Sequence, residues 1–87
     1  MKMNTLQQRD ASVIWHPYTQ MKTAPLPVPV QSGEGCYLIT TDGQKIMDAI
    51  GSWWVSVHGH GNSYLANAIA EQAKTLEQVI FAGFTHE

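Results

Sequence analysis

A chain of 87 residues with 44% apolar and 14% charged side chains is too apolar for a disordered tail and too short for more than one small core. Its five basic and seven acidic residues are scattered singly around a net charge of −2, so no cationic stripe exists for a nucleic-acid backbone. The charged share lies well under the roughly 25% of ordinary domains, which favours a segment whose apolar faces are covered by protein outside these residues.

The chain opens Met1-Lys2-Met3-Asn4-Thr5 without the apolar run of a signal peptide. Nowhere do about 18 apolar residues follow one another, so no membrane-spanning helix is expected and a cytoplasmic location is the default. Residues 4–14 can form a short helix capped by Asn4 or Thr5, with Leu6, Val13 and Ile14 as its apolar positions. Pro17 stops it, because the residue before a proline is pushed out of the α region. Thr23 to Val30 alternates prolines 25, 27 and 29 with apolar residues, the signature of an extended connector or edge.

A hairpin signal follows. Gly33-Glu34-Gly35 reads as a turn, and Cys36-Tyr37-Leu38-Ile39-Thr40 as a strand. Asp42-Gly43 is a strong tight-turn pair leading to a second strand at about 44–48. Val28–Ser32 extends these into a three-stranded meander. Cys36 is expected as a small half-buried strand residue; as the one cysteine it can form neither an internal disulfide nor a CxxC pair.

Gly51 to Gly61 interleaves three glycines with Trp53, Trp54, His58 and His60, which means bends and close backbone approaches rather than regular structure. A helix over about 63–79 comes next. Asn62 or Ser63 can cap it, and Leu65, Ile69, Leu76 and Ile80 form a one-sided apolar stripe that must pack on something. Phe81 to Glu87 carries aromatic residues with nothing after them to bury them, the look of a chain that continues.

Few residues suggest chemistry on their own. Trp15-His16-Pro17-Tyr18 makes a rigid aromatic edge, suited either to stacking on a planar ligand or to anchoring a terminal helix. Trp53-Trp54 in a glycine-rich loop is either pocket lining or core. His58-Gly59-His60 can chelate, but a zinc site needs three or four ligands, and no other His, Cys or carboxylate has supporting spacing, so no metal is expected. His58 carries an imidazole that can act as a general base, but nothing in the sequence places a partner beside it. None of Lys2, Lys22, Lys45 and Lys74 sits where a desolvated nucleophile is expected, and no phosphate-binding glycine motif is present.

Taken in order, Ile14-Trp15-His16-Pro17-Tyr18-Thr19-Gln20-Met21, Gly35-Cys36-Tyr37-Leu38 with Asp42-Gly43, Asp48, Ser52-Trp53-Trp54, His58-Gly59-His60 and Phe81-Ala82-Gly83-Phe84-Thr85-His86-Glu87 resemble a known pattern. It is the amino-terminal part of the adenosylmethionine–8-amino-7-oxononanoate aminotransferases, a branch of the class-III pyridoxal-phosphate aminotransferases. The resemblance runs from about Ile14 to Glu87. The Asp-Gly hairpin is shared by the wider class, whereas Trp-His-Pro-Tyr and Ser-Trp-Trp single out the biotin-pathway branch. Ser63 stands where relatives often have proline, and Gly51 where a second serine is common.

The resemblance implies the α/β fold of type-I pyridoxal-phosphate transferases, here represented by an α+β piece with a short antiparallel sheet followed by a long helix. Residues 1–22 would form the terminal helix and a substrate-lining turn, and residues 23–87 part of the small domain, ending before the large cofactor-binding domain. It further implies a homodimer in which Tyr18 and Trp53 line the oxo-acid pocket, with Trp54 and the Pro17 neighbourhood bordering it and Phe81 to Thr85 approaching the partner subunit's site. The implied reaction is ping-pong. S-adenosylmethionine aminates the pyridoxal 5′-phosphate cofactor, and the nitrogen then passes to the 7-oxo group of 8-amino-7-oxononanoate to give 7,8-diaminononanoate. The Schiff-base lysine and the other cofactor-binding residues belong to later parts of such proteins, so no catalytic or cofactor-binding residue is assigned here, and the segment alone is expected to be inactive. Two alternatives stand beside this reading: another class-III ω-aminotransferase, and a small binding module that stacks Tyr18, Trp53 and Trp54 on a ligand.

Overall fold

A computed structural model describes residues 5–87. In chain order it contains α1 (Thr5–Val13), β1 (Val30–Glu34), β2 (Tyr37–Thr40), β3 (Lys45–Met47), a single turn α2 (Gly51–Trp54) and α3 (Ser63–Thr75). This is the expected α+β arrangement of a short antiparallel sheet followed by a long helix. Asn4, one of the two expected caps of α1, lies outside the described residues.

The first helix ends where local side chains compete with its backbone. Ser12 Oγ donates to the Arg9 carbonyl at 2.7 Å, a bond that weakens a helix from within. The proline-rich stretch then runs as the connector its composition predicts, tied to α1 by Gln7 Nε2 donating to the Pro27 carbonyl at 2.9 Å. It feeds into β1, and the Thr41 N–H reaches back to the Pro29 carbonyl at 3.0 Å.

The meander has strand order β1-β2-β3, antiparallel throughout. Val30 faces Thr40, but Ser32 faces Ile39, so Gln31 is an extra residue in β1 and the strand bulges there. The register corrects the sequence reading of the first turn. Glu34 pairs with Tyr37 and Gly33 with Leu38, so Gly33 and Glu34 belong to the strand. The turn is the two residues Gly35-Cys36, with Gly35 at φ +58. Cys36 is therefore an exposed turn residue and not a half-buried strand residue. At the other end Thr40, 3% exposed, is the one buried polar residue among those described, and it is fully engaged. Its hydroxyl accepts from the Gln44 N–H at 2.9 Å and donates to the Asp42 carboxylate across the Asp-Gly turn.

The long helix starts as its cap predicts: Asn62 Oδ1 accepts from the Leu65 N–H at 3.0 Å. It stops at Thr75, four residues short of the expected 79. Leu76 is extended at φ −162, and the Gln72 side-chain amide donates to the Leu76 carbonyl at 3.1 Å, which closes the end. Leu76, Val79 and Ile80 thus continue the apolar stripe in sequence but not on the helix.

No apolar residue is fully buried among those described. The only packed pairs of elements are β1 with β2 and β2 with β3; neither long helix packs on the sheet. The surface area is 7808 Å², where a folded monomer of this mass would show about 5,100 Å². The radius of gyration is 16.9 Å, against about 12 Å for a compact chain of this length. Ile69 on α3 is 70% exposed, so the stripe that must pack on something does not find it within these residues.

Where the Gly51–Gly61 loop meets the hairpin, the contact is backbone on backbone. The Gly35 and His60 main chains exchange both hydrogen bonds, at 3.0 and 2.7 Å. A Cβ on Gly33 would stand 2.6 Å from His60 Cβ, and one on Gly61, at φ +68, would stand 2.8 Å from the Gly33 carbonyl oxygen. Gly61→Ala combines a left-handed backbone with a clash against main chain. It should destabilise the folded protein by roughly 1–3 kcal/mol, read as a lower melting temperature of a longer protein carrying this segment; an unchanged value would contradict the close approach.

Candidate functional site

Three aromatic side chains named from the sequence come together on one face. Tyr18 follows Pro17 at φ +51, an uncommon conformation for a bulky residue. Two contacts frame its turn: Thr19 Oγ1 donates to the Pro17 carbonyl at 2.7 Å, and His16 Nε2 meets Asp10 Oδ2 on α1 at 2.6 Å. The phenol is 90% exposed. Its ring centroid nevertheless lies 5.0 Å from that of Trp53, tilted by 43°, and Trp53 lies 5.9 Å from Trp54 at 51°. Such tilted pairs contribute about 0.5–1.5 kcal/mol beyond the area they cover.

Trp53 and Trp54 are 53% and 82% exposed, so neither belongs to a core of this chain. Trp15 is exposed as well and anchors nothing among the described residues. A groove of about 620 Å³ between α1 and the proline connector touches Tyr18 but neither Trp53 nor Trp54. The aromatic face therefore stands open beside the groove and not within it.

The backbone that presents the tryptophans is left-handed. Gly51, Ser52, Trp53 and Trp54 have φ of +65, +49, +64 and +70. For L-residues this hand costs roughly 1–2 kcal/mol each, so the three non-glycine positions together cost about 3–6 kcal/mol. Main-chain bonds offset part of it: the Trp54 N–H donates to the Ile50 carbonyl at 3.3 Å, and those of Val55 and Ser56 to Gly51 at 3.0 Å.

Asp48 offsets more. Its Oδ1 accepts from the Ser52 N–H at 3.0 Å, and its Oδ2 accepts from the Ser52 hydroxyl at 2.6 Å and from His60 Nε2 at 2.7 Å. Asp48 is fixed in turn by its own N–H, which donates to the Cys36 carbonyl at 2.7 Å, and His60 by its bridge to Gly35. One hairpin end thus holds both members of the pair. The Ser52 hydroxyl first, the Ser52 N–H next and the His60 ring after them lower the Asp48 pKa from 3.8 to about 2, against a smaller opposing effect of burial. An ionised carboxylate only accepts, so the proton between the two side chains resides on His60 Nε2. The stabilisation from Asp48 is complete above its ordinary pKa of 3.8 and is lost as pH falls through about 2. Ser52→Ala removes the largest cause, so carboxyl carbon NMR should show the Asp48 titration moving up toward 3.8 in the folded protein; an unmoved midpoint would contradict the bonding described.

Sequence reasoning placed Asp48 in a motif and gave it no role. The available signal was Asp48 and Ser52 four residues apart around Gly51, a spacing at which a carboxylate reaches a turn's N–H. His58 takes no part in this network, and no group of three or more metal-ligating side chains occurs among the described residues. At the chain's end Phe81 stacks on His86 with centroids 5.4 Å apart, and Phe84 is exposed beside them.

The described lysines are solvent-facing or engaged. Lys74 pairs with Glu71 at 3.0 Å in the open, and Lys45 lies over the Tyr37 ring at 5.4 Å. Among the described residues no lysine is desolvated beside the aromatic face, so these residues do not suit the covalent anchoring of an aldehyde cofactor.

Residues 18–87 match the family described as aminotransferase class-III. A relative from Synechococcus elongatus, an adenosylmethionine-8-amino-7-oxononanoate aminotransferase, is 53% identical over 74 residues, covering 85% of this chain and 18% of its own length. The crystal structure of the enzyme of the same name from Methanocaldococcus jannaschii superposes with a TM-score of 0.83 at 36% identity, over 94% of this chain and 19% of that one. The omega transaminase from Pseudomonas jessenii in complex with PMP superposes at 0.82 with 26% identity, over 97% and 19% respectively. The chain spans about a fifth of the length of the relatives it matches.

Proposed function

The chain belongs to the class-III aminotransferases, and on that premise we propose that it forms the amino-terminal portion of an enzyme that transfers an amino group from S-adenosylmethionine to 8-amino-7-oxononanoate, giving 7,8-diaminononanoate in biotin biosynthesis. The observation that carries this reading is the open aromatic face, with Tyr18 and Trp53 5.0 Å apart and both exposed to receive a ligand. Similarity to relatives bearing that enzyme's name, at up to 53% identity, supports the same substrate.

The work of these residues is binding and orientation. Tyr18 and Trp53 wall the oxo-acid, and Trp54 borders it. Each methylene of the substrate covered by these rings contributes about 0.8 kcal/mol. Rings held by a fixed backbone turn lose little further freedom when the ligand arrives. The surrounding protein excludes water from the other side. Pyridoxal 5′-phosphate, bound by the complete enzyme, supplies the electron sink; this segment contributes the wall and not the anchor. We further assign the complete enzyme as a homodimer, with Phe81 to Thr85 facing the partner's site, and as cytoplasmic. No helix among the described residues is long and apolar enough to cross a membrane.

A complete enzyme for testing can be made by joining this segment to the remaining portion of the Synechococcus elongatus relative. Titration with 8-amino-7-oxononanoate should give a saturable change in tryptophan fluorescence and turnover with S-adenosylmethionine. Binding of some other ω-amino substrate in its place would favour a different class-III activity and overturn the assignment.

A further inference from the structure

We infer that Asp48 is a positioning residue for the substrate wall: together with Ser52 and His60 it clamps the α2 turn in its left-handed form and so sets where the Trp53 indole stands. The inference rests on the oxo-acid reading above and names a residue that the reading does not use.

Three observations carry it. The turn holds three successive non-glycine residues at positive φ, a backbone that does not persist unless its surroundings impose it. The side chains it carries are not held in a core that would impose it: Trp53 is 53% and Trp54 82% exposed, and their ring partners are each other and Tyr18. What remains is polar. Asp48 takes both the N–H and the hydroxyl of Ser52, the first non-glycine residue of the turn, and its side chain is only 10% exposed. Its second anchor, His60, is joined by main-chain bonds to Gly35 on the hairpin, so the carboxylate is held from the sheet side while it holds the turn. The hydrogen bonds of the Asp48 carboxylate go to Ser52 and His60, so it acts through the backbone of residues 51–54.

The clamp makes a prediction that a purely structural or purely electrostatic role would not. In the joined enzyme, Asp48→Ala should raise the Kd and KM for 8-amino-7-oxononanoate about tenfold, with kcat changed less than threefold, since a misplaced wall weakens binding and leaves the transferring atoms alone. The near-ultraviolet circular dichroism of the Trp53–Trp54 pair should collapse in the same variant without ligand. Adding Ser52→Gly, which adopts the left-handed conformation without strain, should bring both signals back to within threefold of the parent. Asp48→Asn, which keeps an acceptor for the Ser52 N–H, should fall between parent and Asp48→Ala, and it decides the matter if the alanine variant does not fold. An Asp48→Ala Kd equal to the parent's overturns the inference, and so does a raised Kd that glycine at position 52 leaves unrestored. If the unsubstituted joined enzyme fails to bind the oxo-acid, the functional reading itself has failed, and the inference falls with it.

Discussion

Scanning calorimetry of the isolated 87-residue chain should show no cooperative unfolding peak. A self-sufficient domain of this length would absorb about 60 kcal/mol at its midpoint. The expectation follows from burial and not from length alone, since many chains slightly shorter than this fold unaided. Here no apolar side chain among the described residues is fully buried, and the surface exceeds that of a compact monomer by about half. Folding must offset roughly 1–2 kcal/mol of backbone entropy per ordered residue. Apolar burial is the term that normally does so, and the stripe of Leu65 and Ile69 on α3 contributes little while it faces water. The same experiment separates the functional readings. A small module that binds a ligand by stacking it on Tyr18, Trp53 and Trp54 has to hold its shape alone. A sharp transition near 60 kcal/mol would support that module, and would count against a segment completed by the rest of an aminotransferase.

The second large effect is expected at the wall. In the joined enzyme, Trp53→Ala should weaken 8-amino-7-oxononanoate binding by about 30- to 150-fold, the 2–3 kcal/mol typical of removing an aromatic anchor. Its kcat should move much less, because the indole holds ground state and transition state alike. Tyr18→Ala should cost less, since its ring is the more exposed partner. The two losses should fall short of additivity, with a coupling of about 0.5–1.5 kcal/mol for rings 5.0 Å apart. Isothermal titration of the two single variants and the double variant measures all three terms. Full additivity would mean that the rings do not act on one ligand together.

Much of the fold was legible because its signals are local. Asn62 before an alanine-rich stretch names the start of α3, and Asp42-Gly43 after the run Tyr37-Leu38-Ile39-Thr40 names the hairpin. The errors came where distant residues decide. Gly33 was read as a turn residue, yet its lack of a side chain serves the His60 ring lying against it, a partner 27 positions away that no local pattern reveals. The long helix was extended to 79 because apolar spacing continues through Leu76 and Val79. It ends at Thr75 because one glutamine side chain closes its carboxyl end.

The site divides in the same way. Tyr18, Trp53 and Trp54 are visible in the sequence as aromatic residues that could line a pocket or pack in a core, and the structure sets them side by side in the open. The left-handed backbone beneath them was not visible, since neither Ser nor Trp favours it and only Gly51 hinted at it. That glycine relieves one of four left-handed positions of its steric cost. The Asp48–His60 pair escaped notice because its members are 12 residues apart and meet only through the hairpin.

On the proposed function, the Tyr18 ring and the Trp53 indole form one side of a ligand cavity that the rest of the enzyme completes. A crystal structure of the joined enzyme with 8-amino-7-oxononanoate bound tests it most directly. The account predicts methylene carbons of the oxo-acid within about 4 Å of both rings, with α2 still left-handed. Both rings covered by neighbouring protein, and the ligand seated elsewhere, would contradict it.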